Sequence, residues 1–254
     1  MLQSDLYFDS AGRAGAPAIL LIHGSVVTRK MWLPQLHGLS DEFQLIAPDL
    51  PGHGALAEVP FSLDESVQRL AALIRQETAG RALVAGLSLG GYVAIELATR
   101  HPSLVSGLVL SGCSFNFTGI TALYIKLVTG MMRRGWIKQS HAQAEEKTRR
   151  MIPAALAEVA EAQLQAGVYP EALGPSLAEL AGVDFTLSLS RYPGPGLILN
   201  GERDRSPRAG EARFAAVLHP GRVQVVPGAG HACNLDNVQF YNQAVRDFAR
   251  SIAF

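Results

Sequence analysis

A serine hydroxyl is a weak nucleophile at neutral pH, so a chain that uses one must also supply a base and an acid to orient that base. Gly86-Leu87-Ser88-Leu89-Gly90 has the form of a serine carried on a very tight strand-to-helix turn. An apolar run precedes it and a helical pattern follows, and that context gives a G-x-S-x-G match its meaning. Glycine at 86 and 90 removes bulk two residues either side of Ser88, which lets the hydroxyl stand above a sheet. The first amides of the following helix favour negative charge developing at that point. A glycine-rich turn that merely contains serine is the bland alternative, and the flanking patterns weigh against it.

The base is sought among the histidines after Ser88. His101 precedes a proline at a helix end, His141 falls in a long helical stretch, and His219 sits in a His-Pro-Gly turn. His231 follows Pro227-Gly228-Ala229-Gly230, a loop just beyond the last apolar strand run, where a general base is required. The acid belongs on the loop after the preceding strand, at Gly201-Glu202-Arg203-Asp204. Glu202 lies so close to the strand end that it is expected to point sideways into solvent or a local ion pair, which leaves Asp204. Asp236, five residues past His231, is assigned to the start of the last helix. His23-Gly24-Ser25 ends the first strong strand, so the backbone amides of Ser25 and Leu89 are the expected oxyanion donors. The Ser25 hydroxyl offers a third contact.

The elements that must position these residues are legible as short apolar runs ending in small or polar residues. They are Ala18–Ile22, Phe43–Ala47, Ala82–Ala85, Leu108–Leu110, Leu197–Leu199 and Val223–Val226. Runs apolar along their whole length suit strands buried on both faces. Ser62-Leu63-Asp64-Glu65 has the form of a capping box, with Val67, Leu70 and Ile74 marking one face of the helix behind it. Tyr92 to Arg100 reads as a helix stopped by His101-Pro102, and Tyr241, Val245, Phe248 and Ile252 mark a C-terminal helix. This alternation predicts an α/β fold with a mostly parallel sheet flanked by helices, whose ligands bind beyond the carboxyl ends of the strands. Residues 115–189 break it. They read as several helices without a strand, a helical lid inserted before the acid-bearing strand.

His23-Gly24, Asp49-Leu50-Pro51-Gly52-His53-Gly54, Gly86 to Gly91, Gly201 to Asp204 and Gly228-Ala229-Gly230-His231 fall in one order along the chain. In this the sequence resembles the α/β-hydrolase superfamily, its serine esterase and lipase-like branch, over a core of residues 1–114 and 190–254. The resemblance implies a catalytic triad of Ser88, Asp204 and His231, an oxyanion hole at Ser25 and Leu89, and a structural turn at His53. Members that open carbon–halogen bonds or epoxides use an aspartate where Ser88 stands. Members that cleave carbon–carbon bonds tend to carry glycine and proline where Val26-Val27 stands. Long-lid lipases expose more apolar surface than anything in this sequence demands.

The remaining composition bounds the partners. The 254 residues are 48% apolar and 17% charged, enough for one sizeable core. Lys plus Arg equals Asp plus Glu at 22 each, which gives no field favouring nucleic acid or an anionic membrane. No basic-then-apolar leader opens Met1 to Asp5, and no apolar stretch approaches the roughly 20 residues that span a bilayer, so a cytoplasmic chain is expected. Cys113 and Cys233 read as free thiols; no ligand cluster suggests a metal, and Gly86 to Gly90 lacks dinucleotide spacing, so no cofactor is expected. The lid supplies Phe115, Phe117, Leu123, Tyr124, Leu127, Met131, Met132 and Trp136, two-thirds of which are expected to pack it onto the sheet. Val26 and Phe115 are the candidate pocket residues. Seven basic residues from Lys126 to Arg150 face only Glu145 and Glu146 as acids, a solvated face more readily than an anion site. Hydrolysis of small or medium carboxylic esters is the leading reading. A lactonase, a cofactor-free lyase, an acyl transferase or a receptor with a slow triad are its rivals.

Overall fold

The computed structural model describes residues 7–138 and 140–254; the stretch read above for a leader, Met1 to Asp5, lies outside them. Seven strands form one sheet in the order β1-β3-β2-β4-β5-β6-β7. They are β1 (Phe8–Ala11), β2 (Ala18–Ile22), β3 (Gln44–Pro48), β4 (Ala82–Leu87), β5 (Val105–Ser111), β6 (Gly196–Gly201) and β7 (Gly221–Val226). Only β1 runs antiparallel, against β3; every other pair is parallel.

Among the described residues the α-helices are α1 (Leu33–Leu39), α2 (Leu63–Glu77), α3 (Leu89–Arg100), α4 (Gly119–Arg133), α5 (His141–Met151), α6 (Ala157–Ala166), α7 (Leu173–Leu180), α8 (Phe185–Leu189), α9 (Arg205–Ala215), α10 (Cys233–Asp236) and α11 (Val238–Arg250). The strand alternation explains how they layer. Leu20 and Ile22 of β2 face a core shared with α2, α3 and Phe214 of α9. Ile19 and Leu21 face the opposite core, with Leu36 and Leu39 of α1 and Tyr241, Val245 and Phe248 of α11. The central strands are therefore buried on both faces, as their unbroken apolar runs require. β7 departs from that expectation: it is the edge strand, and its first four residues are exposed.

The Ser62 hydroxyl accepts the amide of Glu65 and starts α2, and α3 begins at Leu89, directly after Ser88. Helices α4 to α8 all fall between β5 and β6. The expectation that two-thirds of the apolar side chains here pack inward is overturned. Leu123, Tyr124, Leu127 and Trp136 are exposed, together with Ile120. On α4, Ile120, Leu123, Tyr124 and Leu127 recur at helical spacing on one face, while Ala122, Ile125 and Thr129 turn inward. So the chain does expose an apolar stripe of the kind its sequence did not demand.

The chain travels from β2 outward to β3, then crosses back to lay β4 on the other side of β2. The loops after β2 and β4 thus diverge, the arrangement that opens a crevice at the carboxyl ends of a parallel sheet.

Candidate active site

Ser88 occupies the first position past β4 with φ 55° and ψ −117°, a sparsely populated region that costs a non-glycine residue ~1–3 kcal/mol. Its amide is held by the carbonyl of Ser111 at 2.8 Å. The turn closes so tightly that a Cβ on Gly86 would lie 2.3 Å from the Gly90 oxygen, and one on Gly90 would lie 2.2 Å from the Ile22 oxygen. These backbone contacts are why glycine stands on both sides of the serine. The Ser88 carbonyl receives the amides of Gly91 and Tyr92, at 3.0 and 3.4 Å. The amide of Leu89 finds no partner among the described residues.

Parallel register carries the neighbouring loops to the same place. Ile22 pairs with Gly86, which brings Gly24 beside Ser88; Leu87 pairs with Ser111, which brings Gly112 there from the other side. Gly112 takes φ +63°, and a Cβ on it would lie 2.8 Å from Cε1 of His231. The imidazole therefore rests on the backbone next to the residue that anchors Ser88. No hydrogen bond joins Ser88 Oγ to His231 in this structure; such bonds are often long without substrate and tighten in the reacting complex.

His231 and Asp204 do meet. Nδ1 of His231 donates to Oδ2 of Asp204 at 2.7 Å, which makes Nε2 the nitrogen free for chemistry. The carboxylate is mostly covered, 14% exposed, while the imidazole is 49% exposed.

Glu202 and Asp236 each hold the loop that carries His231. Glu202 is exposed, as expected from sequence, and its Oε2 also accepts the amide of Gly228 at 2.8 Å. Asp236 ends the short α10 rather than starting the last helix, and its Oδ2 accepts the amide of Gly230 at 2.6 Å. Arg203 adds its own amide to the Ala229 carbonyl, at 2.9 Å, and its guanidinium to that of Gly228. The loop carrying His231 is thus clamped at each of its three preceding residues, a role the glycine-rich spelling gave no hint of. Asn200 was also missed: its Oδ1 accepts the Gly112 amide at 2.9 Å and holds the floor under His231. A polar residue ending a buried strand was the available signal, because a buried amide needs partners.

The loop after β2 is shaped by two buried histidines. His23 Nε2 accepts the amide of Leu50 at 2.9 Å, and His53 Nε2 accepts that of Val26 at 3.1 Å. Each Nδ1 donates to a carbonyl, of Gly24 and of Pro51 respectively. Both rings are therefore neutral, and burial pushes their pKa values down, to about 4 for His23 and about 3 for His53. Because His23 Nε2 is an acceptor, its 4.0 Å approach to Asp49 is not an ion pair. The Val26 amide is taken by His53, whereas the amide of Ser25 is without a partner among the described residues. Its buried Oγ also has none. Val26 sits at φ +74°, a strained setting for a β-branched side chain.

A model of the alpha/beta hydrolase family matches residues 19–244. The chain belongs to that family. It is 37% identical to an AB hydrolase superfamily protein of Gibberella zeae, over 56% of this chain and only 52% of that protein's length. It is 28% identical to a pimeloyl-[acyl-carrier protein] methyl ester esterase of Xanthomonas oryzae pv. oryzae, over 93% of this chain and 96% of that one. Among solved structures, a thermophilic esterase from Thermogutta terrifontis superposes with a TM-score of 0.77 at 26% identity, covering 96% of this chain and 92% of the other.

In this α/β-hydrolase the candidate pocket residue Phe115 is held by both its backbone and its ring. The Phe115 carbonyl accepts the Tyr92 hydroxyl at 3.0 Å, and its ring packs edge-on against Phe117, 5.4 Å between centroids. A cavity of about 770 Å³ touches none of Ser88, Asp204 or His231. It lies among α4, α7 and the start of α5, with Lys126, Arg133, Lys138 and His141 on its walls. Part of the basic stretch thus lines this cavity while staying exposed, as expected of a solvated face, and Glu171 shares the wall.

Proposed function

We propose that this hydrolase cleaves carboxylic esters of small or medium size through an acyl-enzyme, with Ser88 as nucleophile, His231 as general base and Asp204 as the acid that orients it. The observation that carries this reading is the 2.7 Å bond from His231 Nδ1 to Asp204. It fixes the tautomer with Nε2 bare, on a ring resting against the loop that anchors Ser88. In the reaction, Nε2 takes the Ser88 proton as Oγ attacks the ester carbonyl. The amides of Ser25 and Leu89 receive the oxyanion, and His231 then returns the proton to the departing alcohol. Water, deprotonated by the same Nε2, next attacks the acyl group. The carboxylic acid leaves and Ser88 regains its proton.

Esterases among the relatives support the reaction class. Residues 115–189 serve as the lid, with Val26 and Phe115 on the pocket wall. A fluorophosphonate is the direct probe: it is expected to modify Ser88, located by peptide mapping, and to stop turnover of a short p-nitrophenyl ester in proportion. Full modification at another residue, or turnover that survives labelling of Ser88, would overturn the assignment. Comparing esters with lactones of equal carbon number on the purified protein then separates the leading reaction from its nearest rival.

A further inference from the structure

Helix α6 carries one fully buried polar residue, Gln163, and both ends of its amide are hydrogen-bonded. Its Oε1 accepts both the amide and the hydroxyl of Thr28, at 3.0 and 3.1 Å. Its Nε2 donates to the Gly167 carbonyl at 2.8 Å, pinning the turn that leaves α6. Two residues further on, the amide of Tyr169 donates to the Val26 carbonyl at 2.8 Å. The Tyr169 ring lies 6.0 Å from that of His53, whose Nε2 holds the Val26 amide from the core side. The four residues Ser25 to Thr28 are therefore gripped by the core on one side and by the helical insertion on the other.

Such a grip is needed because Val26 holds a positive φ. A strained backbone persists only where its surroundings over-determine it. Remove one anchor, and the loop gains freedom to relax toward an ordinary φ, which swings the neighbouring Ser25 amide. A buried glutamine that only fastened the insertion to the core would have no reason to bond this loop in particular.

We infer that Gln163 is a positioning residue for the Ser25 amide, which makes the insertion part of the oxyanion hole's support as well as a cover. This rests on the proposed serine mechanism. An oxyanion donor acts on charge present only in the transition state, so its displacement lowers kcat and leaves KM nearly unchanged. Outright loss of such a donor costs ~10²–10³ in kcat, and a displaced one is expected to cost about tenfold or more.

The test compares wild type with Gln163→Met, which keeps the volume and removes both polar ends. Active sites are counted by fluorophosphonate titration, so that unfolded protein does not enter the rate. The expected result is kcat down about tenfold or more, KM within about threefold, and affinity for a boronic acid transition-state analogue weakened by the same factor as kcat/KM. Thr28→Val, which removes the hydroxyl's bond to Gln163 and its acceptance of the Lys30 amide but keeps the backbone bond to Gln163, is expected to show the same pattern at smaller amplitude, and it carries the test if Gln163→Met does not fold. Unchanged kcat per active site, or analogue affinity that stays at the wild-type value while kcat/KM falls, would overturn the inference. Either result with Ser88 still labelled sinks this inference alone. Loss of Ser88 labelling in wild type would instead sink the mechanism beneath it.

Discussion

Asp204 stands just before α9, where an aspartate ordinarily accepts an amide of the helix's first turn. Here it makes no such cap and spends its carboxylate on His231. Glu202, two residues earlier, spends its own on the Gly228 amide. The two acids should therefore separate cleanly in experiment. Asp204→Asn is expected to lower kcat by about 10⁴, since the amide no longer fixes the imidazole's tautomer. Glu202→Gln keeps an acceptor and is expected to cost less than tenfold. Steady-state kinetics on both variants checks this, and a larger loss in the glutamine variant would reverse the roles. The sequence pointed to Asp204 by loop position, but nothing in it said that Glu202 clamps the histidine loop, because that contact depends on how two loops fold together. His23 and His53 give a second residue-scale expectation. Their folded pKa values, about 4 and about 3, lie below the ordinary 6.5. The unfolded chain thus binds more protons once pH drops below 6.5, and stability should fall from there toward about pH 3. Between pH 7 and 5 few carboxylates titrate, so the urea midpoint over that interval reads the histidines. His53→Gln, which retains an acceptor for the Val26 amide, is expected to flatten the slope. An unchanged slope would mean that His53 is not the source.

At the scale of elements, the turn between β4 and α3 depends on how little space surrounds it. A methyl at Gly90 would strike the backbone oxygen of Ile22, and neither strand can yield without disturbing its neighbours. Gly90→Ala is expected to destabilise the fold by about 1–3 kcal/mol, the usual cost of overpacking, and to displace Ser88. Urea denaturation with a parallel activity assay checks both; wild-type stability with full activity would show that the turn has slack. The parallel strands were legible because burial on both faces demands unbroken apolar runs. β1 was not, since Phe8-Asp9-Ser10-Ala11 offers neither an apolar run nor a strict alternation and pairs only at an edge. β7 was legible as a strand but misjudged in burial, because four residues with three apolar members read alike at the edge and at the centre. The helices of 115–189 were expected as a group, yet which face of α4 turned inward was not. Helical spacing identifies an apolar stripe and is silent on what the stripe meets.

Across the whole molecule, the groups proposed to react come from loops after β2, β4, β6 and β7, while residues 115–189 come from one insertion between β5 and β6. Chemistry and selectivity are thus expected to divide between them. Phe115→Ala should shift the preferred acyl length among acetate, butyrate and octanoate esters by the ~1–3 kcal/mol that one apolar contact can discriminate. An activated acetate ester should still turn over, and a common fall for all three esters would place Phe115 in the catalytic geometry instead. The proposed chemistry turns on one hydroxyl, that of Ser88. The decisive measurement is steady-state turnover of a short p-nitrophenyl ester by Ser88→Ala, with the folded fraction confirmed by its unfolding transition. Loss of the nucleophile in a serine triad costs on the order of 10⁶ in kcat, so a folded variant is expected to show no turnover above background. A folded Ser88→Ala that keeps even a tenth of the wild-type rate would contradict the account.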